Sequence, residues 1–340
     1  VAPTAALRRI AFLLERARAG TYRVQAFRKA VDIVRALPAD EVAARAAAGT
    51  LTDLAGIGEA TAAVVSQAVG GELPAYLALL QEQAEPPPTD GGAELYGLLR
   101  GDLHCHSDWS DGGSPIEEMA LTAIELGHEW LALTDHSPRL RVANGLTTAR
   151  LAQQLDVVGS INTALGGNGF RLLTGIEVDI LDDGTLDQTE EMLGRLDVVT
   201  ASVHSKLAMA AEPMTRRMVA AVRNPRVNVL GHCTGRLVEG SRGKRAQSAF
   251  DARAVFEACA GSGTAVEINS RPERCDPPDE LIRLAIDIGC LFAIDSDAHA
   301  PGQLDMKTYG AQRASRLGVP QERIVTTWDA DRVLAWASAR

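Results

Sequence analysis

The sequence predicts an α/β protein: a distorted barrel of seven β/α units, preceded by a small all-α region. Residues 1–84 carry helical patterns throughout. From about residue 100, short apolar runs alternate with helical stretches, which is typical of parallel strands joined by crossover helices. Polar side chains suited to metal binding stand at or after the ends of these runs. A closed barrel would gather such side chains at one end, so a barrel is favoured over an open sheet.

The chain of 340 residues is expected to form two domains. We predict a helical domain at 1–84, a linker at 85–99 that begins with the Pro-rich and Gly-rich run 85–92, and a second domain at 100–340. No apolar run approaches the ~20 residues needed to cross a bilayer. The net charge of −10 argues against a strongly basic nucleic-acid binder overall, although residues 1–35 carry a local excess of basic side chains.

Apolar residues in the first part recur at helical spacing, as in Leu7, Ile10 and Leu14. Further along, one helix is predicted to end before the tight turn Gly56-Ile57-Gly58, and another begins directly after it. The two glycines allow the turn and a close approach of the backbone to another molecule. Exposed N–H groups at the start of the second helix are able to bind a phosphate.

This turn resembles the helix-hairpin-helix motif, and residues 22–30 precede it much as in the N-terminal domain of family X DNA polymerases. The resemblance covers about residues 5–80 and implies binding to the ends of gapped DNA. It assigns DNA contacts to five positions: Arg23, Arg28, Lys29, Gly56 and Gly58. The alternative is a motif used for protein packing. Lyase chemistry is not expected, because Val64 stands where some members of that family carry a nucleophilic lysine.

Seven strands are predicted in the second part, at about 100–104, 130–134, 171–177, 197–202, 227–231, 264–268 and 290–294. The first carries His104-x-His106, which places both imidazoles on one side of an extended segment. Asp111 follows in a Gly-rich turn and adds an oxygen ligand. Neutral imidazole suits Zn²⁺, Mn²⁺ or Fe²⁺. Of the seven histidines, His128 alone lacks a setting beside the end of a strand, and we interpret it as structural.

Five short motifs together resemble the PHP (polymerase and histidinol phosphatase) family: 102–106, 133–137, 201–205, 230–232 and 296–299. Residues 140–146, 231–237 and 267–269 are most similar to the PHP domain of bacterial family X polymerases, although Cys233 replaces the proline usual there. No nucleotidyl-transfer core separates the two parts of this chain. Template-directed polymerase activity is therefore not expected.

The resemblance implies three divalent metal ions, which we expect to be Mn²⁺, Zn²⁺ or Fe²⁺ rather than Mg²⁺. His104, His106, Glu177 and Asp297 would hold the first and form the catalytic set. Glu177 would bridge to a second ion bound by His204 and His232. Asp111, His136 and His299 would hold the third. Four arginines in or near the loops after the strands are candidate phosphate ligands: Arg141, Arg236, Arg271 and Arg274.

Adjacent divalent ions favour hydrolysis of phosphate esters. The leading hypothesis is a metal-dependent DNA phosphoesterase, a 3′-5′ exonuclease or abasic-site nuclease in repair, whose partners are DNA ends, gaps or abasic sites. The alternatives are a small-molecule phosphatase such as histidinol-phosphate phosphatase, and a non-catalytic DNA-binding adaptor. The five cysteines form no C-x-x-C pair and no secretion signal is evident, so a cytoplasmic protein without membrane contact is expected. The oligomeric state stays open.

Overall fold

The computed structural model describes residues 1–84, 92–167, 169–240 and 243–339. The chain divides into two compact units, Val1–Pro86 and Pro87–Arg340. Most of the predicted linker run, residues 85–91, lies outside the described residues. Residues 92–98 of the predicted linker form a helix in the second unit.

The described part of the first unit is helical. Its helices are α1 (Pro3–Arg16), α2 (Thr21–Arg35), α3 (Ala39–Ala48), α4 (Glu59–Val69) and α5 (Ala75–Gln83). Leu7, Ile10 and Leu14 are buried along one face of α1, as their spacing predicts. At the turn before α4, Gly56 has φ +103°. This backbone conformation favours glycine, and a Cβ there would lie 2.6 Å from Lys29 Cε, at the end of a flexible side chain.

The second unit combines nine described α-helices with a six-stranded sheet. The strands are β1 (Trp130–Leu133), β2 (Arg171–Asp179), β3 (Val198–Ser202), β4 (Val229–Leu230), β5 (Ala265–Asn269) and β6 (Leu291–Asp295). The helices are α6 (Gly92–Leu98), α7 (Ile116–Glu125), α8 (Thr148–Leu165), α9 (Glu190–Leu193), α10 (Ala211–Val222), α11 (Ala252–Ser262), α12 (Asp279–Ile288), α13 (Lys307–Leu317) and α14 (Ala330–Ser338). All strand pairs are parallel and follow chain order from β1 to β6. The predicted α/β class with a curled parallel sheet is confirmed.

The predicted first strand, 100–104, is not a regular strand. The segment around it nevertheless lies between β1 and β6: the carbonyl of Asp102 accepts from the N–H of Ala132 (2.9 Å), and Cys105 bridges in parallel to Ala298. Side chains here replace some of the backbone hydrogen bonds that would join two strands. For example, the Asp295 carboxylate accepts the N–H of Leu103 at 2.9 Å. The seventh position is therefore filled by an extended segment whose backbone groups are partly satisfied by carboxylates.

One face of the sheet changes from apolar to polar along the strand direction. Leu173, Val198, Ala265 and Ala293 pack in one buried cluster with residues of the C-terminal segment. Because strand side chains alternate with period two, the residues two or four positions further on share that face. Those positions include Glu177 on β2 and Glu267 on β5. The apolar half packs against the C-terminal segment, and the polar half lies towards the strand ends, where the site lies.

Candidate metal centre

Six imidazoles and three carboxylates converge at the C-terminal end of the strands. Their ligand atoms form four overlapping groups, each with all members within 4.8 Å. The groups are His106, Asp111, His136 and His299; His104, His106 and Asp297; His104, Glu177 and His232; and His136, Glu177 and His204. All nine side chains singled out from the sequence are brought together. The role of each as a metal ligand stays a prediction.

Glu177 lies at the centre of this cluster and is buried. Its Oε1 is 2.9 Å from His232 Nε2 and 3.2 Å from His204 Nε2. Its Oε2 is 2.8 Å from His136 Nδ1. The two oxygens thus face different imidazoles, which is the arrangement a bridging carboxylate needs. Burial alone would raise the pKa of Glu177, but the surrounding imidazoles outweigh burial and hold its pKa well below the usual range.

Asp297 is the second buried carboxylate of the cluster, on a residue with φ +51°. Its Oδ1 lies 3.5 Å from His106 Nε2. Its Oδ2 accepts hydrogen bonds of 3.0 Å from Arg274 Nε and from Asn269 Nδ2. One oxygen therefore faces the imidazoles while the other is held from behind. Burial opposes the charged form, yet Arg274 and the imidazoles lower the pKa of Asp297 well below its usual value.

Asp111 lies at the rim, with 35% of its side chain exposed. Its Oδ1 is 3.4 Å from both His136 Nε2 and His299 Nε2. Despite partial burial, these imidazoles lower the pKa of Asp111 strongly. This group of ligand atoms includes both of the more exposed members of the cluster, Asp111 and His299, so the cluster is most open to solvent here.

Several polar atoms in the cluster are buried without a hydrogen-bond partner among the described residues. They are His104 Nε2, both ring nitrogens of His106, His204 Nδ1 and His232 Nδ1. His136 Nδ1 and Glu177 Oε2 form an ion-pair contact of 2.8 Å but have no hydrogen bond of good geometry. Buried polar atoms are seldom left unpaired, so a group of such atoms calls for a missing partner. Imidazole nitrogens and carboxylate oxygens are common ligands of divalent transition metals. The residues present fit such ions.

The protonation of the cluster without a bound cation supports the same interpretation. Burial lowers the pKa of His136, but Glu177 and Asp111 raise it further, and the result is a pKa of about 10. Burial and the neighbouring His299 and His136 instead hold the pKa of His106 well below its usual value. Protons on some imidazoles thus balance the negative charge of the buried carboxylates. Bound divalent cations would supply this positive charge in place of the protons.

Glu267 is a functional residue to which the sequence analysis gave no role. It is fully buried in the middle of β5, where its Oε1 lies 2.5 Å from His104 Nδ1. Its Oε2 accepts the N–H of His232 at 2.5 Å. A carboxylate bonded to the rear nitrogen of an imidazole fixes the ring so that the other nitrogen can bind metal. In the sequence, Glu267 stands two residues before Asn269 in a predicted strand, so both side chains are expected on the same face of the sheet.

Two of the four predicted phosphate-binding arginines reach the cluster. Arg274 bonds Asp297, and Arg271 Nη1 lies 3.0 Å from His299 Nδ1 while its Nε donates to Glu273 (2.8 Å). Arg236 instead donates to the backbone carbonyls of residues 274 and 275, so it supports a loop. Arg141 is exposed on the loop that follows His136.

The remaining candidates differ in their surroundings. His128 is buried outside the cluster, and its Nδ1 has no hydrogen-bond partner among the described residues, so the interpretation as a structural histidine leaves that nitrogen unsatisfied. Cys105 and Cys233 are buried free thiols beside ligand candidates. Cys105 Sγ donates to the carbonyl of Ala132 (3.3 Å), away from the imidazoles.

In the helical unit, three of the five predicted DNA contacts meet at the hairpin. Lys29 is exposed and its stem lies against Gly56, as the close approach to a built Cβ shows. The N–H of Gly58 donates to Thr61 Oγ1 (2.9 Å), so this amide is already used by α4. Arg23 is exposed on α2. Arg28 pairs in bidentate fashion with the buried Glu15 at 2.8 and 2.7 Å, which commits its guanidinium to packing.

Comparison with protein families places both units. The sequence profile of the PHP domain matches residues 102–271, half of the chain. The chain belongs to the PHP family. A helix-hairpin-helix domain profile matches residues 2–70. PHP membership and the ligand cluster together support metal-dependent phosphoester hydrolysis as the class of chemistry. None of the helices in the described residues has the length and apolar content to cross a membrane.

Two curated relatives illustrate the range of proteins with a similar PHP region. The DNA polymerase/3′-5′ exonuclease PolX of Bacillus subtilis (strain 168) is 41% identical over 213 residues, which is 62% of this chain. This chain spans only 36% of the length of that relative. A probable phosphatase of Caldicellulosiruptor bescii is 29% identical over 211 residues, covering 59% of this chain and 80% of the relative.

Among solved structures, the histidinol phosphate phosphatase HISK of Lactococcus lactis, in complex with zinc, L-histidinol and phosphate, superposes with a TM-score of 0.47. It is 17% identical, and the match covers 65% of this chain and 94% of that one.

Proposed function

We propose that this PHP protein is a metal-dependent phosphoesterase that acts on DNA, removing nucleotides or damaged groups at 3′ ends or cutting at abasic sites. The observation that carries the proposal is the presence in one chain of a helix-hairpin-helix unit and a buried cluster of metal-ligand candidates. A small-molecule phosphatase has no need of the first, and a DNA-binding adaptor has no need of the second.

The proposed metal content is three divalent ions, with Mn²⁺, Zn²⁺ or Fe²⁺ favoured by the number of imidazoles. The first ion would be held by His104, His106, Glu177 and Asp297. The second would share Glu177 with His204 and His232. The third would be held by Asp111, His136 and His299. The groups of ligand atoms that lie within 4.8 Å of one another resemble these sets. Two side chains lie near more than one set: His106 is also near the third set, and His136 is also near Glu177.

When bound, such ions lower the pKa of a coordinated water and neutralise phosphate oxygens. The side chains of this protein would then hold the geometry. Glu267 fixes the ring of His104, and Arg274 holds one oxygen of Asp297 so that the other faces the imidazoles. Arg271 and Arg274 also place two positive charges beside the carboxylates, which would favour the approach of a phosphate anion.

DNA would be bound by the helical unit through the hairpin. Lys29 and Arg23 are exposed cations on α2, and Gly56 lets the backbone of the hairpin approach a phosphate closely. The bidentate pairing of Arg28 with Glu15 favours a structural role for Arg28 rather than a phosphate contact. The five free cysteines favour a cytoplasmic location, where thiols stay reduced.

Hydrolysis of a small phosphomonoester is the second candidate. It is supported by the similarity of the PHP region to several proteins described as probable phosphatases, of which the chain covers a large share. In that case the helical unit would serve protein packing. The two candidates differ in the role of the helical unit. Hydrolysis of DNA would use this unit to bind the substrate, whereas hydrolysis of a small phosphomonoester would not.

The test uses the purified full chain with Mn²⁺ and three substrates: a 3′-labelled gapped duplex, a duplex with one abasic site, and histidinol phosphate. We expect shortening or incision of DNA by the native protein and none by the Glu177→Gln variant, which loses the central carboxylate. Turnover of histidinol phosphate alone would establish the second candidate instead. Bound metals without turnover of any substrate would indicate a non-catalytic adaptor.

A further inference from the structure

The loop 137–146 begins and ends beside a metal-ligand candidate. At its start, the N–H of Ser137 donates to the carbonyl of Glu177 (3.0 Å). At its end, the N–H of Leu146 donates to the carbonyl of His136 (2.7 Å), and Leu146 is fully buried. The loop therefore leaves the candidate metal centre after His136 and returns to the backbone of His136. The two anchors, Ser137 and Leu146, are nine positions apart, so the tip of the loop lies within ~15 Å of Leu146.

The loop is held in one shape by several contacts. A short 3₁₀ turn at Arg141–Ala143 ends at Asn144, which has φ +54°. Arg150 Nη1 donates to the carbonyl of Asn144 (2.7 Å). At Gly145 a Cβ would lie 1.8 Å from the carbonyl oxygen of Ser137, so the two ends of the loop touch and only glycine fits.

The loop is also fastened to the turn that carries Asp111. Asn144 Nδ2 donates to the carbonyl of Trp109 (3.2 Å), and Arg150 Nη2 donates to the same carbonyl at 2.5 Å. Trp109 stands two residues before Asp111. The loop thus bridges two segments that each supply a ligand candidate of the exposed rim group, His136 and Asp111.

At the tip of this braced loop, an apolar side chain points into solvent. Val142 is 95% exposed, more than any other large hydrophobic side chain in the described residues. Arg141 beside it is also exposed, while the next residue, Ala143, is buried. A single exposed valine on a surface usually needs no explanation. Here, however, the backbone that presents it is fixed by polar contacts to both sides of the rim.

We propose that Val142 is a strand-separating residue: it packs against the terminal base pair of a duplex, while Arg141 contacts the phosphate of the strand that enters the metal centre. This proposal rests on the proposed function and adds to it that paired ends must be opened before hydrolysis. Proteins that open a base step commonly insert a small apolar wedge between bases and hold the backbone with a neighbouring cation.

The nature of the patch favours DNA over a protein partner. One valine at the tip of a narrow loop offers far less apolar area than a protein interface requires. A base pair, in contrast, presents a flat face next to a charged backbone, which one apolar side chain and an adjacent cation can contact.

The test compares the native protein with Val142→Asp and Val142→Ser on one labelled strand, presented either with a paired 3′ end or with an unpaired 3′ end. A small ester, bis(p-nitrophenyl) phosphate, reports the metal centre without DNA. We expect the variants to lose about ten-fold or more in rate on the paired end, because unstacking a base step is costly. Rates on the unpaired end and on the small ester should stay within two-fold of native, a margin of about 0.4 kcal/mol.

Two further variants complete the design. Arg141→Gln is expected to raise KM for both DNA ends, because one contact to the phosphate backbone is lost. Leu121→Asp, on the partly exposed face of α7, is the control for adding a charge at an exposed apolar position. Equal rates for native and Val142 variants on the paired end would overturn the proposal, as would equal losses on paired and unpaired ends. If the native protein cleaves the small ester but no DNA, the proposed function fails and the strand-separating role fails with it.

Discussion

In the second unit the candidate functional groups are buried, and several of their nitrogens have no hydrogen-bond partner among the described residues. In the helical unit, by contrast, Arg23 and Lys29 are exposed and Arg28 is already paired. Buried unpaired atoms are energetically costly, so their grouping points to a ligand on physical grounds. Exposed cations cost nothing and carry no such information. The buried cluster therefore carries its own physical evidence for a bound ligand, and the exposed cations of the helical unit do not.

The largest expected effect comes from removing one buried imidazole. His204→Asn should reduce phosphoesterase activity by more than about 100-fold, since even the loss of a residue behind a metal ligand costs 10–100-fold. His128→Asn is the matched control, because His128 is also buried but lies outside the cluster. Metal content by elemental analysis should fall in the first variant only. Equal losses in both would mean that burial of a histidine, rather than ligation, is what matters.

A smaller effect is expected from Glu267→Gln, which keeps the size of the side chain but weakens the grip on His104. Metal affinity or activity should fall 10–100-fold, measured by competition with a chelator and by steady-state kinetics. Glu267→Asp should restore part of the loss if a carboxylate is required. Unchanged metal affinity in the Gln variant would show that Glu267 only fills space.

The pH dependence sharpens the comparison, because the buried cluster contains groups whose pKa values are strongly shifted. The folded pKa of His136 is about 10, above its usual value of 6.5. In metal-free protein its contribution to stability is therefore fully present below pH 6.5 and is lost as the pH rises towards 10. Metal binding requires the deprotonated ring, so metal affinity should rise over the same window.

Both trends can be measured on one preparation. Chemical unfolding of the metal-free protein should show a falling free energy of unfolding from pH 6.5 to 9.5, and Zn²⁺ titration should show tighter binding with proton release. A metal-free protein whose stability rises across this range would contradict the assignment. An affinity that does not change with pH would do the same.

The smallest effects belong to the helical unit. Arg23→Glu and Lys29→Glu should each weaken DNA binding and reduce the slope of log K against log salt by about 1, because one phosphate contact is lost. Hydrolysis of a small ester should not change. Arg28→Ala should act differently, lowering the free energy of unfolding by about 1.5–3 kcal/mol through the loss of a charged hydrogen bond to Glu15. A reduced salt slope for Arg28→Ala at unchanged stability would assign it to DNA instead.

Much of the second unit could be predicted from the sequence because its strands are short, apolar and followed by ligand-type residues. Six of the seven predicted strands are present, and all nine ligand candidates converge. The exception, 100–104, has the composition of a strand, but its pairing uses the carboxylates of Asp102 and Asp295, which no local pattern reveals.

Other features depended on tertiary contacts that a linear pattern does not contain. Glu267 belongs to one of the sequence motifs, but only its distance to His104 indicates what its side chain does. Arg236 and Arg271 sit in similar loop settings in the sequence, but one binds backbone carbonyls and the other reaches His299. In the helical unit, the pairing of Arg28 with Glu15 joins residues from different helices and removes a cation from the predicted surface.

The ligand candidates are spread over separate segments from His104 to His299. Consequently no contiguous fragment shorter than 104–299 contains the whole set. A chain divided in the exposed connection near residue 166 would leave four of the candidates on one piece and five on the other. Such halves would regain metal binding only on reassociation, which makes the centre a natural reporter for split-protein complementation.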